Sequence, residues 1–214
     1  MKNFLAVDTG CGYMSVIAAK DGKFYSSFTP DCAMKHSVLL MQKIDEVLSQ
    51  ADMTPQDCGF FAAVIGAGSF TGIRIGISAM KGFCLACEKP ALPITSFDVA
   101  AYNAVDGRQG KTLCLVNALH DTYYACGYEN GKIVYPPAYL TESEVLSLAN
   151  EGYSLRSVEN LPIGEKCALD VVSPETGLKN AVLARLEQGA FGPLDALYIR
   201  KSSAELNAET VKNK

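Results

Sequence analysis

The strongest constraint on the fold is that the chain is written twice. Phe4 to Phe28 reads as a strand ending at Asp8, a glycine turn, a second strand from Met14 to Ala19, an Asp21-Gly22 hairpin turn and a third strand from Phe24 to Phe28. Leu113 to Asn117, Thr122 to Tyr128, Asn130-Gly131 and Ile133 to Tyr135 repeat that grammar. One offset of 109 residues (117 − 8) pairs Asp8 with Asn117 and Asp21-Gly22-Lys23 with Asn130-Gly131-Lys132. A helix pattern follows each meander, Met34 to Gln50 and Glu142 to Asn150. Each half then offers a buried strand, Phe60 to Ile65 and Ala168 to Val172, and a further helix, Phe70 to Cys87 and Glu175 to Gln188. This predicts a duplicated α/β fold of two lobes, each a mixed sheet with helices, separated by a cleft. The first lobe is expected over 1–108 and a smaller second lobe over 109–200. The polar tail 201–214 lacks an apolar stripe and is expected to be flexible.

The pattern resembles the actin-like and sugar-kinase-like ATPase fold. There, glycine-containing turns after the first strand of each lobe pinch a nucleotide phosphate, and the first-lobe Asp helps hold a metal. Asp8-Thr9-Gly10 fits that role, but its counterpart is Asn117-Ala118-Leu119, where an amide and bulky side chains replace the acidic, glycine-bearing turn. The segment Gly66-Ala67-Gly68-Ser69-Phe70-Thr71-Gly72-Ile73-Arg74-Ile75-Gly76 also looks like a phosphate cradle, a glycine turn between a buried strand and a helix. It lacks the Gly-Lys-Ser/Thr close of a Walker loop. Counted as a dinucleotide fingerprint, its third glycine would fall on Thr71, and no acidic residue ends the next strand-like run, Ala91 to Thr95. Asp8, Thr9, Gly10, Gly66, Gly68 and Ser69 therefore read as a vestigial phosphate-binding set, and the glycine block as a joint that positions a helix.

A net charge of −4 with 20% charged residues gives no basic block that would bind nucleic acid autonomously, so any contact with RNA is expected to be shared with a partner. Only four apolar residues, Phe4 to Val7, follow Lys2 and Asn3 before Asp8, too few for a signal or a membrane span; a cytoplasmic location is expected. Eight cysteines then read as reduced thiols. Cys84 and Cys87 have CxxC spacing but sit at the C-terminal end of a helix pattern, where the dipole raises a thiol pKa. Cys11, between two glycines, is the expected exposed thiol.

Phe4-Leu5-Ala6-Val7-Asp8-Thr9, His36-Ser37 with Leu39-Leu40, the block Gly66 to Gly82, Pro93-Ile94-Thr95-Ser96 and Tyr198-Ile199-Arg200 resemble the TsaB (YeaZ) family across most of the chain. The resemblance implies a noncatalytic paralogue of the threonylcarbamoyltransferase TsaD. Such a protein pairs with that catalytic subunit, helps dock the P-loop ATPase TsaE and meets tRNA only through the complex, with a homodimer left open for the chain alone. It implies no cofactor and no membrane. The catalytic paralogue holds its metal through a histidine pair on one helix. This chain has only His36 and His120, far apart in sequence, so neither a metal site nor catalytic residues of that design are expected.

On a helical wheel Met34, Val38, Leu40, Met41, Ile44, Val47 and Leu48 cover about half the circumference, wider than the roughly 100° stripe of a helix with one core contact. Gly72, Gly76 and Ala79 recur one turn apart, which permits close helix packing either within the lobe or against a partner. Since relatives pair through the two helices of the first lobe, the resemblance implies an interface drawn from Ser37, Leu40, Met41, Ile44, Leu48, Phe70, Gly72, Ile73, Arg74, Gly76 and Ile77. Two other classes stay open. Asp8-Thr9-Gly10 leaves room for an ATP-binding phosphotransferase or ATPase. A hydrolase is disfavoured because Ser69 lacks the Gly-x-Ser-x-Gly elbow and because His120 and Asp121, were they strand neighbours, would point apart; His120 reads more economically as a turn histidine with a solvated neighbour.

Overall fold

The structure, a computed structural model, describes residues 2–103 and 110–200. The tail 201–214 and the expected lobe boundary at 108/109 lie outside the described residues. The first half runs β1 (Phe4–Asp8), β2 (Met14–Lys20), β3 (Lys23–Thr29), α1 (His36–Gln50), β4 (Phe60–Val64), α2 (Phe70–Cys87), β5 (Ala91–Ile94) and α3 (Ser96–Ala101). The second runs β6 (Thr112–Asn117), β7 (Thr122–Glu129), β8 (Lys132–Thr141), α4 (Glu142–Asn150), β9 (Ser154–Ser157), β10 (Leu169–Val171) and α5 (Pro174–Glu187). The two five-stranded sheets have the orders β3-β2-β1-β4-β5 and β8-β7-β6-β9-β10, which is one topology used twice. In each, three antiparallel strands are extended by two parallel ones.

Local chemistry accounts for the repeat. Asp21-Gly22 and Asn130-Gly131 both have positive φ at both turn residues (49° and 84°, 51° and 73°). That geometry matches the twist of a two-residue hairpin and favours Asn or Asp followed by Gly. The turns close the pairs Lys20↔Lys23 and Glu129↔Lys132, as the offset predicts. Helix starts are capped: Ser69 Oγ accepts from Gly72 N ahead of α2, and Thr95 with Asp98 and Thr141 with Glu144 form reciprocal capping boxes for α3 and α4.

β1 is buried throughout because both of its faces are covered. Leu5 and Val7 enter the core under α1 and α2, while Phe4 and Ala6 enter the core shared with α3, α5 and the second sheet. A third core places Val145 of α4 on Leu113, Leu115 and Tyr123. The halves trade helices: α5 packs on β1, β2 and β5, whereas α3 packs on β6, β7 and β9. The half expected over 109–200 thus lends its last helix to the first sheet. The helix pair is closely fitted, since a Cβ on Gly177 would collide with the carbonyl oxygen of Val99. Buried Asp98 of α3 also accepts from the Tyr128 hydroxyl at 3.1 Å and lies 3.6 Å from Arg185 Nε of α5.

The duplication is less complete than the sequence pattern predicts. The counterpart of β4 is β9, because both lie parallel beside the first strand of their sheets. The run Ala168 to Val172, expected to match β4, instead forms β10 and matches β5. Likewise α5, expected to match α2, takes the place of α3. No helix corresponds to α2: β9 and β10 are joined through one 3₁₀ turn at Pro162–Glu165. α2 is long and apolar enough to cross a membrane by length and composition. It carries Arg74 and Lys81, and it lies on β4 and β1.

Candidate functional site

The glycine block and the end of β1 form one joint. A Cβ on Gly68 would collide with Gly10 O, one on Gly72 with Thr9 O, and one on Gly76 would lie 2.6 Å from Thr9 Oγ1. The Thr9 hydroxyl donates to Gly72 O at 2.7 Å, and Ser69 N donates to Gly10 O at 2.7 Å. Gly72 and Gly76 therefore admit Thr9 of their own lobe, the internal of the two packings, while Ala79 lines the groove beside α1.

Groups that a phosphate would need are already engaged. Gly10 N donates to Asp8 Oδ1 at 2.9 Å, Gly72 N to Ser69 Oγ at 3.2 Å, and Gly12 N to the carboxylate of Glu159 at 2.8 Å. Asp8 is fully buried, and desolvation pushes its pKa up against the lowering effect of Gly10 N and the Tyr13 hydroxyl. Of the six residues read as vestigial, Thr9, Gly10 and Gly66 are buried with Asp8, Gly68 is half-buried, and Ser69 alone is exposed. Among the described residues no group of three or more His, Cys, Asp or Glu is placed to hold a metal ion.

The second lobe repeats the turn without its glycine. Leu119 N donates to Asn117 Oδ1 at 2.8 Å, as Gly10 N does to Asp8. Leu119, His120 and Asp121 all have positive φ (66°, 52° and 54°), and Leu119 projects into solvent. His120 and Asp121 are therefore exposed turn residues, as the turn-histidine reading expects. Between the two turns lies a cleft of about 940 Å³.

The pairing residues divide sharply. Ile44, Leu48, Gly72, Ile73, Gly76 and Ile77 are buried in their own lobe, with Ile44 at 0% exposure, so they are corrected from surface to core, while Leu40, also buried, reaches the groove floor. The wheel counted apolar residues without showing which ones the sheet covers. Ser37, Met41, Phe70 and Arg74 remain accessible and line, with Leu40, Ile75 and Ala79, a shallow groove of about 480 Å³ between α1 and α2. Val38, 76% exposed, and Met34, 94% exposed, lie bare nearby in sequence. The wheel included both, yet neither entered the interface set. Cys11 is buried, and burial pushes its thiol well up, which corrects its expected exposure.

Sequence reasoning missed the segment 190–200 as an organiser. Gly192 N donates to Ala91 O and Leu197 N to Ile65 O, which straps the segment across the edge of the first sheet. Tyr198 ends this strap stacked on Phe70 with ring centroids 5.0 Å apart, and Arg74 lies 3.7 Å over the Phe70 ring. Nothing periodic marks such a strap; the alternation of Tyr198, Ile199 and Arg200 was the only available signal.

A family model for TsaD, tRNA N6-adenosine threonylcarbamoyltransferase, matches residues 23–207. A tRNA threonylcarbamoyladenosine biosynthesis protein TsaB from Buchnera aphidicola subsp. Schizaphis graminum is 32% identical over 100 residues, covering 47% of each chain. The Escherichia coli (strain K12) protein of the same name is 30% identical over 100 residues, covering 47% of this chain and 43% of its own. The matched stretch thus spans less than half the length of these curated relatives. A Pseudomonas aeruginosa structure, described as an uncharacterized protein with similarity to peptidase YEAZ, has the same fold. Its TM-score is 0.78 at 21% identity, over 94% of this chain and 100% of that one.

Proposed function

The chain belongs to the TsaD family, and from that premise we propose that it is a noncatalytic dimerisation subunit for threonylcarbamoylation of the adenosine beside the anticodon in tRNAs. In this reading it acts in the cytoplasm, binds a TsaD-like catalytic partner and helps recruit a TsaE-like P-loop ATPase. The TsaB names of its relatives support the pathway. The observation that carries the subunit role is the apolar surface at α1 and α2, where Val38, Met41 and Phe70 stay exposed beside a groove. Isolated chains seldom leave such side chains clustered without a partner. The engaged amides of the glycine joint support a role other than phosphate transfer.

Size-exclusion chromatography of the purified protein with its catalytic paralogue should give a heterodimer at micromolar concentration. Independent elution of the two would overturn the subunit role. The open cleft keeps one competing reading in play, an ATP-binding phosphotransferase or ATPase. Calorimetric titration with Mg-ATP separates the two, since a phosphotransferase would bind saturably and the proposed scaffold would not need to.

A further inference from the structure

We propose that the mouth of the interlobe cleft is a stacking platform for single-stranded RNA, formed by two arginine–aromatic units that residues 198–200 bring to opposite walls. Tyr198 turns toward the first lobe, where its ring stacks on Phe70 at an interplanar angle of 27° and its hydroxyl accepts from Arg74 Nε at 2.7 Å. Arg200 turns toward the second lobe, with its guanidinium carbon 5.0 Å from the centroid of the Tyr139 ring and Nη1 donating to the Tyr139 hydroxyl at 3.1 Å. The Tyr139 ring in turn lies 5.9 Å from that of Tyr124. All of these side chains except Tyr139 line the same cleft.

Among the described residues neither Arg74 nor Arg200 has a carboxylate within ion-pair distance. Among the described residues the one carboxylate lining the cleft, Glu159, accepts from Gly12 N. A guanidinium beside an aromatic ring keeps N–H groups for phosphate, and a part-exposed ring such as Tyr198 accepts any base by stacking. Two such units in sequence match a polymer that alternates flat bases with anions. A protein segment would satisfy the arginines through carboxylates but has no reason to need both ring faces. Two cations are few, and the chain carries a net charge of −4. Binding is therefore weak, with a salt slope near −1.4, about 0.7 for each phosphate neutralised on a single strand. The choice of RNA as the polymer rests on the tRNA-modification reading; the geometry does not.

The test is fluorescence anisotropy of a labelled single-stranded oligoribonucleotide of about 12 nucleotides at about 50 mM salt, with an RNA duplex of equal length alongside. The chain has no Trp, so quenching of tyrosine emission reports stacking directly. The single strand should bind saturably and more tightly than the duplex, with quenching. Tyr139→Ala and Arg200→Ala should each weaken binding about 5- to 20-fold, and Tyr139→Phe should stay within about twofold of wild type. Arg200 is exposed, so its variant keeps the test informative if Tyr139→Ala fails to fold. Absence of single-strand binding, equal binding of duplex, or unchanged binding by both alanine variants would overturn the platform. Loss of heterodimer formation by these variants with RNA binding intact would assign the surface to protein instead. The measurement needs no partner protein and the pairing assay needs no RNA, so the failure of either proposal is read separately.

Discussion

The phenolic hydroxyl of Tyr13 donates to Oδ2 of Asp8 at 2.7 Å and closes a carboxylate site with no exposure to water. Removing that hydroxyl in Tyr13→Phe leaves one buried oxygen without its partner, and should cost about 1–3 kcal/mol in denaturant unfolding. Burial outweighs the two hydrogen bonds and raises the Asp8 pKa above its ordinary 3.8. The folded state therefore holds the proton more tightly than the unfolded chain. The stabilisation from Asp8 is complete below 3.8 and is lost as pH rises through the raised folded value. Asp8→Asn keeps an acceptor for Gly10 N and copies Asn117 of the second lobe. It should remove this loss and hold or raise stability at pH 7. Urea midpoints of both proteins from pH 4 to 8 measure the difference, and a wild-type slope in the variant would assign the effect to another group.

The glycines in and just before α2 make opposite predictions. Gly68→Ala and Gly72→Ala each drive a methyl group into a backbone oxygen, of Gly10 and Thr9 respectively, and neither can move without opening the joint. Each should cost more than about 3 kcal/mol. Gly82 lies in the same helix with open space around its Cα. Gly82→Ala should raise stability by about 0.5–1 kcal/mol by restricting the unfolded chain. Thermal unfolding of the three variants side by side checks the ordering.

Pairing and folding separate on α1. Val38→Glu and Met41→Glu alter exposed positions, so stability should stay within about 0.5 kcal/mol while heterodimer affinity falls at least about tenfold. Ile44→Glu buries a charge in a fully enclosed site and should unfold the lobe, with a loss of about 4 kcal/mol or more. Circular dichroism and gel filtration on the same samples distinguish lost pairing from lost structure.

The thiols should be graded by enclosure. Burial pushes Cys58 up to about 12 and Cys126 up to about 11, and raises Cys11 and Cys114 as well. Cys84, Cys87 and Cys167 are half-buried. Brief iodoacetamide treatment at pH 8 followed by mass mapping should modify these three first, and the buried five only after denaturation. Early labelling of Cys11 would mean that the first turn opens readily.

The repeat was legible because its markers are local: two I′ hairpin turns and two Asx-like turns obey backbone rules that need no distant partner. β9 was not legible because Ser154-Leu155-Arg156-Ser157 shows no apolar run. Its Arg156 is tolerated inside only because Asn103 O accepts from it and Asp170 faces it across the sheet. The six residues of α3 went unread although Thr95 and Asp98 spell a capping box. The exposure pattern of α1, on which the proposed partner face rests, was half legible. Helical periodicity identifies an overly broad apolar arc, but only the position of β2 and β3 beneath α1 separates Ile44 from Val38. The cleft mouth depends on contacts between residues far apart in sequence, such as Arg74 with Tyr198, which no spacing rule encodes.

The second lobe joins β9 to β10 through a single turn where the first inserts a glycine joint and an 18-residue helix. On the proposed pairing through α1 and α2, the duplicated molecule carries its pairing surface at one end alone. Two equivalent ends would let copies string head to tail without limit. With a single such end, the proposed pairing would stop at two chains, whether the second is a copy or a relative.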